Sequence, residues 1–196
     1  NEKKIKSNHR IQIDDQISIS SEYRNLKKEK KYHFNRNSKK EIDEMIIYQD
    51  DELLILNKPP GIAVQGGTKI KKSIDTLLKS SFKSLKTRLV HRLDKDTSGI
   101  LIIALNRQIA DHMSYLFREK EITKNYWALN VGKLKIGKGT INKEIKKKNS
   151  KTYYEALTEY NNYMKINNNL NFIIFKPITG RNHQIRIHSK ELGIPI

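Results

Sequence analysis

The nine residues 91–99 (HRLDKDTSG) bring together the groups that could do chemistry most densely in this chain. Asp94 lies in a predicted cationic neighbourhood of His91, Arg92 and Lys95, and a second carboxylate, Asp96, follows it. Nearby positive charge keeps a carboxylate ionised, and an ionised carboxylate can act as a nucleophile or as a base. Because the apolar run after this stretch predicts a buried strand that would hold it rigidly, Asp94 is the candidate catalytic group.

An aspartate near serine and glycine is more often a turn residue that accepts hydrogen bonds from local N–H groups. This interpretation suits Asp96, whose carboxylate could cap Ser98 or Gly99. Asp94 and Asp96 could also hold Mg²⁺ in a nuclease, but such chemistry usually needs further convergent carboxylates, and no second acidic cluster accompanies them. We therefore predict no metal site.

A second group of polar residues follows a predicted strand near the C-terminus. Arg181 lies at a turn, and Arg186 lies one helical turn after Asn182, so these last two side chains can face one cleft. His183 and His188 are five residues apart, which is a poor spacing for shared metal ligation on a helix. A hydrogen-bonded structural role is therefore predicted for each histidine.

A third candidate, Tyr126, begins a predicted strand directly after the polar segment 123–125 (TKN). A tyrosine at such a position usually packs in the core with its hydroxyl hydrogen-bonded. Its ring could also stack on a nucleobase. The residues alone leave both interpretations open.

The spacing of apolar residues predicts the elements that must position these groups. Strands are predicted for Ile46–Tyr48, Leu53–Leu56, Ile100–Leu105, Tyr126–Val131, Tyr153–Tyr160 and Phe172–Phe175. Helices are predicted for Ser73–Leu85, for the segment after a capping Asn106, and for His183–Leu192. Long strands with few helices, not in strict alternation, predict an α+β domain whose central sheet is mixed or mostly antiparallel and is flanked by a few helices.

The charge of the chain indicates a polyanionic partner. Its 196 residues include 39 Lys and Arg against 21 Asp and Glu, which gives a net charge of +18. Lys and Asn are abundant throughout the chain, so part of this positive charge reflects a general bias in composition. No window has the roughly 18 apolar residues that a membrane span needs, so nucleic acid is preferred over a membrane. The lack of cysteine excludes disulfides, thiolate zinc sites and cysteine nucleophiles.

Four segments together, in this order, resemble the motifs of the RluA-type pseudouridine synthases. They are residues 57–61 (NKPPG), 91–99 (HRLDKDTSG), 124–129 (KNYWAL) and 177–188 (PITGRNHQIRIH). The resemblance covers the chain from Ile46 to its end, and four ordered motifs are far more specific than any one of them. Segment 63–67 (AVQGG) is most similar to the RluC branch, in which a histidine commonly stands at the Gln65 position.

This resemblance implies the catalytic fold of those enzymes and the isomerisation of specific uridines to pseudouridine in 23S (large-subunit) ribosomal RNA. It implies an RNA partner, no cofactor, no membrane, a monomer and a cytoplasmic location. Two rival functions stay open, a non-catalytic module that binds or folds rRNA and the metal nuclease considered above. The intact set of Asp94, Tyr126 and Arg186 argues against the non-catalytic module.

The resemblance also implies a role for each motif residue. Asp94 matches the family's single essential aspartate, which acts as a nucleophile at the sugar or the base, or as a base that removes the 2′ proton. Arg186 is expected to pair with Asp94, Tyr126 to stack on the target uracil, and Arg92 to help extrude the nucleotide. The residues expected to contact phosphates or the rim of the site are Lys58, Lys124 and Arg181.

Three regions are predicted along the chain. Residues 1–20, with a short hairpin, resemble the C-terminal part of an S4-like RNA-binding domain, residues 21–44 have the composition of a basic linker, and residues 45–196 form the catalytic domain. The segment between Ile145 and Lys151 is shorter than the family pattern, and a Gly-Asp-x-x-Tyr-Gly-like stretch is missing after the last residue. These departures predict a catalytic domain that is truncated at its C-terminus.

Overall fold

The computed structural model describes residues 10, 12–16, 18, 33–67, 70, 72–82, 86–157 and 170–196, in two compact units, 1–33 and 34–196. The first unit contains a turn in which the Gln12 N–H donates to the Asp15 carboxylate at 2.7 Å and the Asp15 N–H donates to the Gln12 carbonyl at 3.3 Å. This turn lies where the short N-terminal hairpin is predicted. Residues 11, 17 and 19 of that hairpin lie outside the described residues, and the S4-like assignment stays a prediction.

The first sheet of the second unit has four antiparallel strands in the order β1-β2-β4-β3. They are β1 (Ile46–Gln49), β2 (Leu53–Lys58), β3 (Arg88–Leu89) and β4 (Gly99–Ala104). Asp50 closes the predicted β1–β2 hairpin, because its carboxylate accepts hydrogen bonds from the backbone N–H groups of Glu52 and Leu53 at 2.8 and 2.7 Å. β4, the strand predicted after the Asp94 stretch, lies between β2 and β3.

The second sheet is also antiparallel and has the order β5-β8-β7-β6. Its strands are β5 (Tyr126–Val131), β6 (Lys138–Ile145), β7 (Lys148–Ala156) and β8 (Leu170–Pro177). β6 is not predicted from the sequence, and β7 begins before the predicted strand Tyr153–Tyr160, whose residues 158–160 lie outside the described residues. The short segment after Ile145 is a tight turn that closes a complete β6–β7 hairpin.

Four helices occur within the described ranges. They are α1 (Arg36–Asp43), α2 (Ile74–Ser81), α3 (Arg107–Glu119) and α4 (Gln184–Glu191). The side chains of Asn35, Ser73 and Asn106 cap the first three helices by accepting hydrogen bonds from backbone N–H groups of the first turn. α4 differs, because His183 at its N-cap has a left-handed backbone, with φ of 52°, and makes no capping hydrogen bond.

Helix α1 corrects the prediction that residues 21–44 are a linker throughout. Two features produce it, the Asn35 cap and the side chain of Ile42, which is fully buried against the first core cluster. A single apolar anchor in a Lys-rich stretch does not give the sequence pattern of an amphipathic helix. The helix therefore depends on tertiary packing that composition does not reveal.

Two hydrophobic clusters form the core. The first joins buried residues of α1, β2, α2 and β4, and the second joins Ile141, Tyr154, Ile173, Phe175 and Ile194. Tyr126 packs against both clusters, so its ring is held from two sides. The α+β class with antiparallel strands is confirmed, and two four-stranded sheets stand where the sequence predicts one central sheet. In the described part of the chain, no helix has the length and apolar character needed to cross a membrane.

Candidate active site

Asp94 lies in the loop that joins β3 to β4, just before the central strand of the first sheet. The Thr97 N–H donates to the Asp94 carbonyl at 3.1 Å and closes a turn within the loop. Gly99, whose φ of 118° lies in the left-handed region, then starts β4 opposite Lys58 of β2. Leu93, next to Asp94, is buried in the first core cluster, so the loop is anchored at both ends.

His91 fixes the start of this loop. Its Nε2 accepts a 2.9 Å hydrogen bond from the Ile102 N–H of β4, and its ring stacks on Phe117 of α3 with centroids 4.6 Å apart. A nitrogen that accepts from an N–H carries no proton, so the ring is neutral. Burial, with a smaller contribution from the charge of Lys124, lowers the pKa of His91 to about 4. His91 therefore supports the loop and does not supply a cation.

Lys58 is fully buried, which contradicts the prediction that it contacts phosphates. Its Nζ donates to the carbonyls of Pro59, Ile62 and Lys95 at 2.8, 2.8 and 3.0 Å, which uses all three of its N–H groups. Burial lowers the pKa of Lys58, while the charges of Asp96 and Asp94 act in the opposite direction. Since Lys95 belongs to the Asp94 loop, Lys58 ties that loop to the turn after β2.

The carboxylate of Asp94 is held by His183, from the other side of the site. His183 Nδ1 donates to Asp94 Oδ2 at 2.9 Å, and both side chains keep solvent-exposed surface, 54% for His183 and 27% for Asp94. The expected pairing of Asp94 with Arg186 is not formed, and Arg186 is exposed on the first turn of α4. Among hydrogen bonds between described residues, none reaches Asp94 Oδ1, so His183 binds only one of the two carboxylate oxygens.

The segment that presents His183 is held by the buried side chain of Gln184. Its Oε1 accepts from the Thr179 hydroxyl at 2.7 Å and from the Arg181 N–H at 2.9 Å. Its Nε2 donates to the Lys151 carbonyl at 3.1 Å and to the Thr152 hydroxyl at 2.9 Å. All the hydrogen-bonding groups of this amide are satisfied, so the turn before α4 is fixed to β7.

His188 extends this polar contact into the interior, which confirms the structural role predicted for it. Its Nε2 lies 2.9 Å from the Ser150 hydroxyl and its Nδ1 lies 2.8 Å from the Thr152 hydroxyl. Because Ser150 uses its only proton on the Lys143 carbonyl, His188 Nε2 must donate and Nδ1 must accept from Thr152. Burial lowers the pKa of His188, in keeping with a neutral ring.

Tyr126 approaches the site from β5. Burial and then the charge of Asp94 raise the pKa of its hydroxyl, so the phenol stays protonated near the carboxylate. Lys124, two residues earlier, is half-buried, its pKa is lowered by burial, and its charge acts on His91. Tyr126 is thus close enough to Asp94 for its charge to act on the phenol, and Lys124 is close enough to act on His91, whereas the roles of Tyr126 and Lys124 at the site stay predictions.

The remaining predicted site residues fall into different places. Arg92 is exposed on the Asp94 loop, and Arg181 is half-buried, with its Nε donating to the Asn149 carbonyl at 3.1 Å. Asp96 is exposed and, among the described residues, makes none of the predicted capping hydrogen bonds, because the Asp94 carbonyl closes the turn instead. No group of three or more potential metal ligands comes together in the described ranges.

Two functional contacts were not predicted from the sequence. The Asp94–His183 pair joins residues 89 positions apart, and the sequence signal for it is only the histidine in segment 177–188. The contact of His91 with β4 was missed because a histidine beside an aspartate suggests charge, whereas burial makes this ring a neutral acceptor.

Comparison with known proteins places this geometry in a family. The family model described as RNA pseudouridylate synthase matches residues 52–191, which include all four motifs in full. The chain belongs to the RNA pseudouridylate synthase family. Within that family it is an RluC-like pseudouridine synthase.

Curated relatives and solved structures agree with this assignment. The chain is 38% identical over 212 residues to ribosomal large subunit pseudouridine synthase C of Rickettsia felis, covering all of this chain and 70% of that protein. It is 35% identical over 211 residues to the protein of the same name in Vibrio parahaemolyticus, of which it covers 65%. The structure of human RNA pseudouridylate synthase domain containing 4 matches with a TM-score of 0.66 at 26% identity, covering 80% of this chain and 68% of that one.

Proposed function

We propose that this chain isomerises specific uridines to pseudouridine in large-subunit (23S) ribosomal RNA, with Asp94 as the catalytic carboxylate. The observation that carries the proposal is the setting of Asp94, with Oδ2 held by His183, no hydrogen bond from a described residue to Oδ1, and Tyr126 within reach of its charge. Relatives whose names specify the ribosomal large subunit support the choice of RNA.

The reaction needs no net oxidant, because the N-glycosidic bond breaks, the uracil rotates and a C–C bond forms at C5 while the C5 proton is released. The free Oδ1 of Asp94 suits either attack on the sugar or base, or removal of the 2′ proton. We propose that Arg92 helps to extrude the target nucleotide and that Tyr126 stacks on its uracil. We propose no cofactor, and a monomer that works in the cytoplasm.

The decisive test measures release of tritium from C5-labelled uridine in a large-subunit rRNA transcript. We expect Asp94→Asn to abolish release, because an amide is neither a nucleophile nor a base of useful strength. Asp96→Asn, two residues away and exposed, is the matched control and should retain activity. Full turnover by Asp94→Asn would overturn the proposal, and RNA binding without turnover by the unaltered protein would favour the non-catalytic module. Loss of activity on adding EDTA would favour the metal nuclease.

We further propose that His183 holds Asp94 in the free protein and that Arg186 replaces it when RNA binds. The two residues are three apart in the chain, with His183 at the N-cap of α4 and Arg186 in its first turn. Arg186→Lys should then lower kcat by about 100-fold, because lysine lacks the bidentate fork, and His183→Asn by much less. A larger loss of kcat in His183→Asn than in Arg186→Lys would identify His183 as the partner of Asp94 throughout the reaction.

A further inference from the structure

The tip of the β6–β7 hairpin has an unusual residue choice. Ile145 pairs with Lys148, so Lys146 and Lys147 are the two central residues of the turn. Both have a left-handed backbone, with φ of 52° and 60°. Lys146, Lys147 and Lys148, called here the lysine tip, are exposed, and none of them forms an ion pair with a described residue.

Turn stability does not explain these lysines. A two-residue hairpin turn with positive φ at both central positions strongly prefers Asn-Gly, because asparagine tolerates the left-handed region and glycine has no Cβ. Lysine has neither property. Backbone strain that persists together with particular side chains is characteristic of positions where those side chains act on a ligand.

Protection of the sheet edge does not explain them either. β6 is the last strand of its sheet, and lysines on such a strand discourage pairing with another chain. Lys138 and Lys143 already occupy the strand, whereas Lys146 and Lys147 lie beyond its last paired residue and Lys148 begins β7. Residues 138–156 contain six lysines and two glutamates, so the hairpin as a whole is strongly positive.

The base of the tip is fixed to the turn that presents the partner of Asp94. The Asn149 carbonyl accepts from Arg181 Nε at 3.1 Å, and the Lys151 N–H donates to the Thr179 hydroxyl at 3.0 Å. Arg181 lies two residues before His183, which binds Asp94. The lysine tip and the candidate catalytic carboxylate are therefore connected through one short, hydrogen-bonded turn.

We propose that the lysine tip binds the phosphodiester backbone of the substrate RNA close to the target nucleotide, an inference that rests on the proposed function. Phosphate contacts fix the position of a nucleic acid without specifying its sequence. A tip held against the His183 turn can set the distance between the bound backbone and Asp94. It contributes to RNA affinity and leaves the chemical step unchanged.

The test is the double substitution Lys146→Asn with Lys147→Gly, which removes two charges and installs the residues that the turn prefers. The unfolding temperature should stay at or above that of the unaltered chain, so loss of folding cannot account for loss of binding. The matched control is Lys133→Asn with Lys135→Gly, in the exposed loop at the other end of β6. Strand β6 separates the two sites by about 24 Å, from the rise per residue of a strand.

Binding of a fluorescein-labelled oligouridylate is measured by anisotropy at several KCl concentrations. We expect the tip variant to bind more weakly and the slope of log K against log salt to become shallower by about 1.4, the value for two lost phosphate contacts on a single strand. The control variant should keep both the affinity and the slope. A tip variant that binds like the unaltered chain, or a control that loses as much, overturns the inference.

The tritium assay separates this outcome from failure of the proposed function. The tip variant should show a raised KM for the rRNA transcript and an unchanged kcat. A lowered kcat with unchanged KM would place the tip in the chemistry and contradict its role in backbone binding. If neither the unaltered chain nor any variant releases tritium, the proposed function fails. The oligouridylate binding result still decides whether the lysine tip binds RNA.

Discussion

Two segments hold the candidate site, called here the loop wall and the helix wall, and they are stabilised by different kinds of hydrogen-bonding groups. The loop wall consists of the Asp94 loop fixed by Lys58 and His91, with a single buried cation that donates to three carbonyls. The helix wall consists of the His183 turn and α4, fixed to β7 by a chain of neutral groups that contains Gln184 and His188. One cation makes three of the hydrogen bonds that fix the loop wall, whereas several neutral groups share those of the helix wall.

The difference has a physical basis in what each wall must satisfy. The loop wall brings together backbone carbonyls from two turns, and an ammonium group supplies three donors from one point. The helix wall joins side chains that are each both donor and acceptor, so a directed chain from Gln184 to the Lys143 carbonyl leaves every proton with a partner. We expect a single substitution in the loop wall to disrupt it, whereas a single substitution in the helix wall should only weaken it.

The largest effect is expected for Lys58→Met. Methionine keeps most of the side-chain volume but leaves the carbonyls of Pro59, Ile62 and Lys95 without their donor, so stability should fall by about 3 kcal/mol or more. Urea unfolding measures the change, and tritium release should fall with it because the Asp94 loop loses its anchor.

Lys72→Met is the matched control, since Lys72 is exposed and its ion pair with Glu41 should contribute less than about 1 kcal/mol. If Lys58→Met keeps its stability and loses only RNA affinity, Lys58 is a phosphate contact after all, and the contrast between the walls disappears.

A smaller effect is expected within the helix wall. Thr152→Val and His188→Phe should each cost about 2 kcal/mol, because each leaves a buried partner unsatisfied. The double variant should lose about 1 kcal/mol less stability than the sum of the two single variants. The reason is that the second substitution removes a group that the first has already left without its hydrogen-bond partner. A double-mutant cycle by chemical unfolding gives the coupling.

The exposed His112→Phe on α3 should change little and serves as control. Strict additivity between Thr152 and His188 would show that these residues do not form one chain, and the helix wall would then resemble a set of independent contacts.

The sequence predicts those parts of the two walls that depend on local signals. Ser73 and Asn106 cap their helices as expected, and the β1–β2 hairpin, β4 and β5 follow the apolar spacing. The four motifs identify the family, and the predicted association of Asp94 with Tyr126 agrees with the effect of the Asp94 charge on the pKa of the tyrosine. Each of these features is a property of neighbouring residues or of an ordered pattern.

The features that the sequence does not predict depend on burial or on distant partners. A lysine in a basic chain suggests RNA contact, and only the packing of β2 shows that Lys58 is buried among carbonyls. The β6–β7 hairpin is hidden because its turn contains lysines in place of Asn-Gly. The pairing of Asp94 with His183 rather than Arg186 joins residues 89 positions apart, and neither this contact nor the left-handed backbone of His183 is indicated by a spacing rule.

The last prediction distinguishes the two walls by the pH dependence of stability, which changes gradually and disappears above about pH 6.5. The unfolded imidazole has a pKa of about 6.5, whereas His91 in the folded chain has a pKa of about 4, so the unfolded chain binds more protons between these values. Stability is therefore complete above about pH 6.5 and falls as the pH drops, by about 2 kcal/mol between about pH 7.5 and about pH 5. His188 acts in the same direction, because its pKa is also lowered.

His91→Asn tests which wall carries this dependence. The asparagine Oδ1 can still accept from the Ile102 N–H but cannot titrate, so the variant should lose most of the slope of stability against pH measured by urea unfolding. His188→Asn should remove a smaller part of that slope. If His188→Asn instead removes more of the slope than His91→Asn, protonation disrupts the helix wall first. The loop wall would then resist acid better than the helix wall, despite its dependence on a single cation.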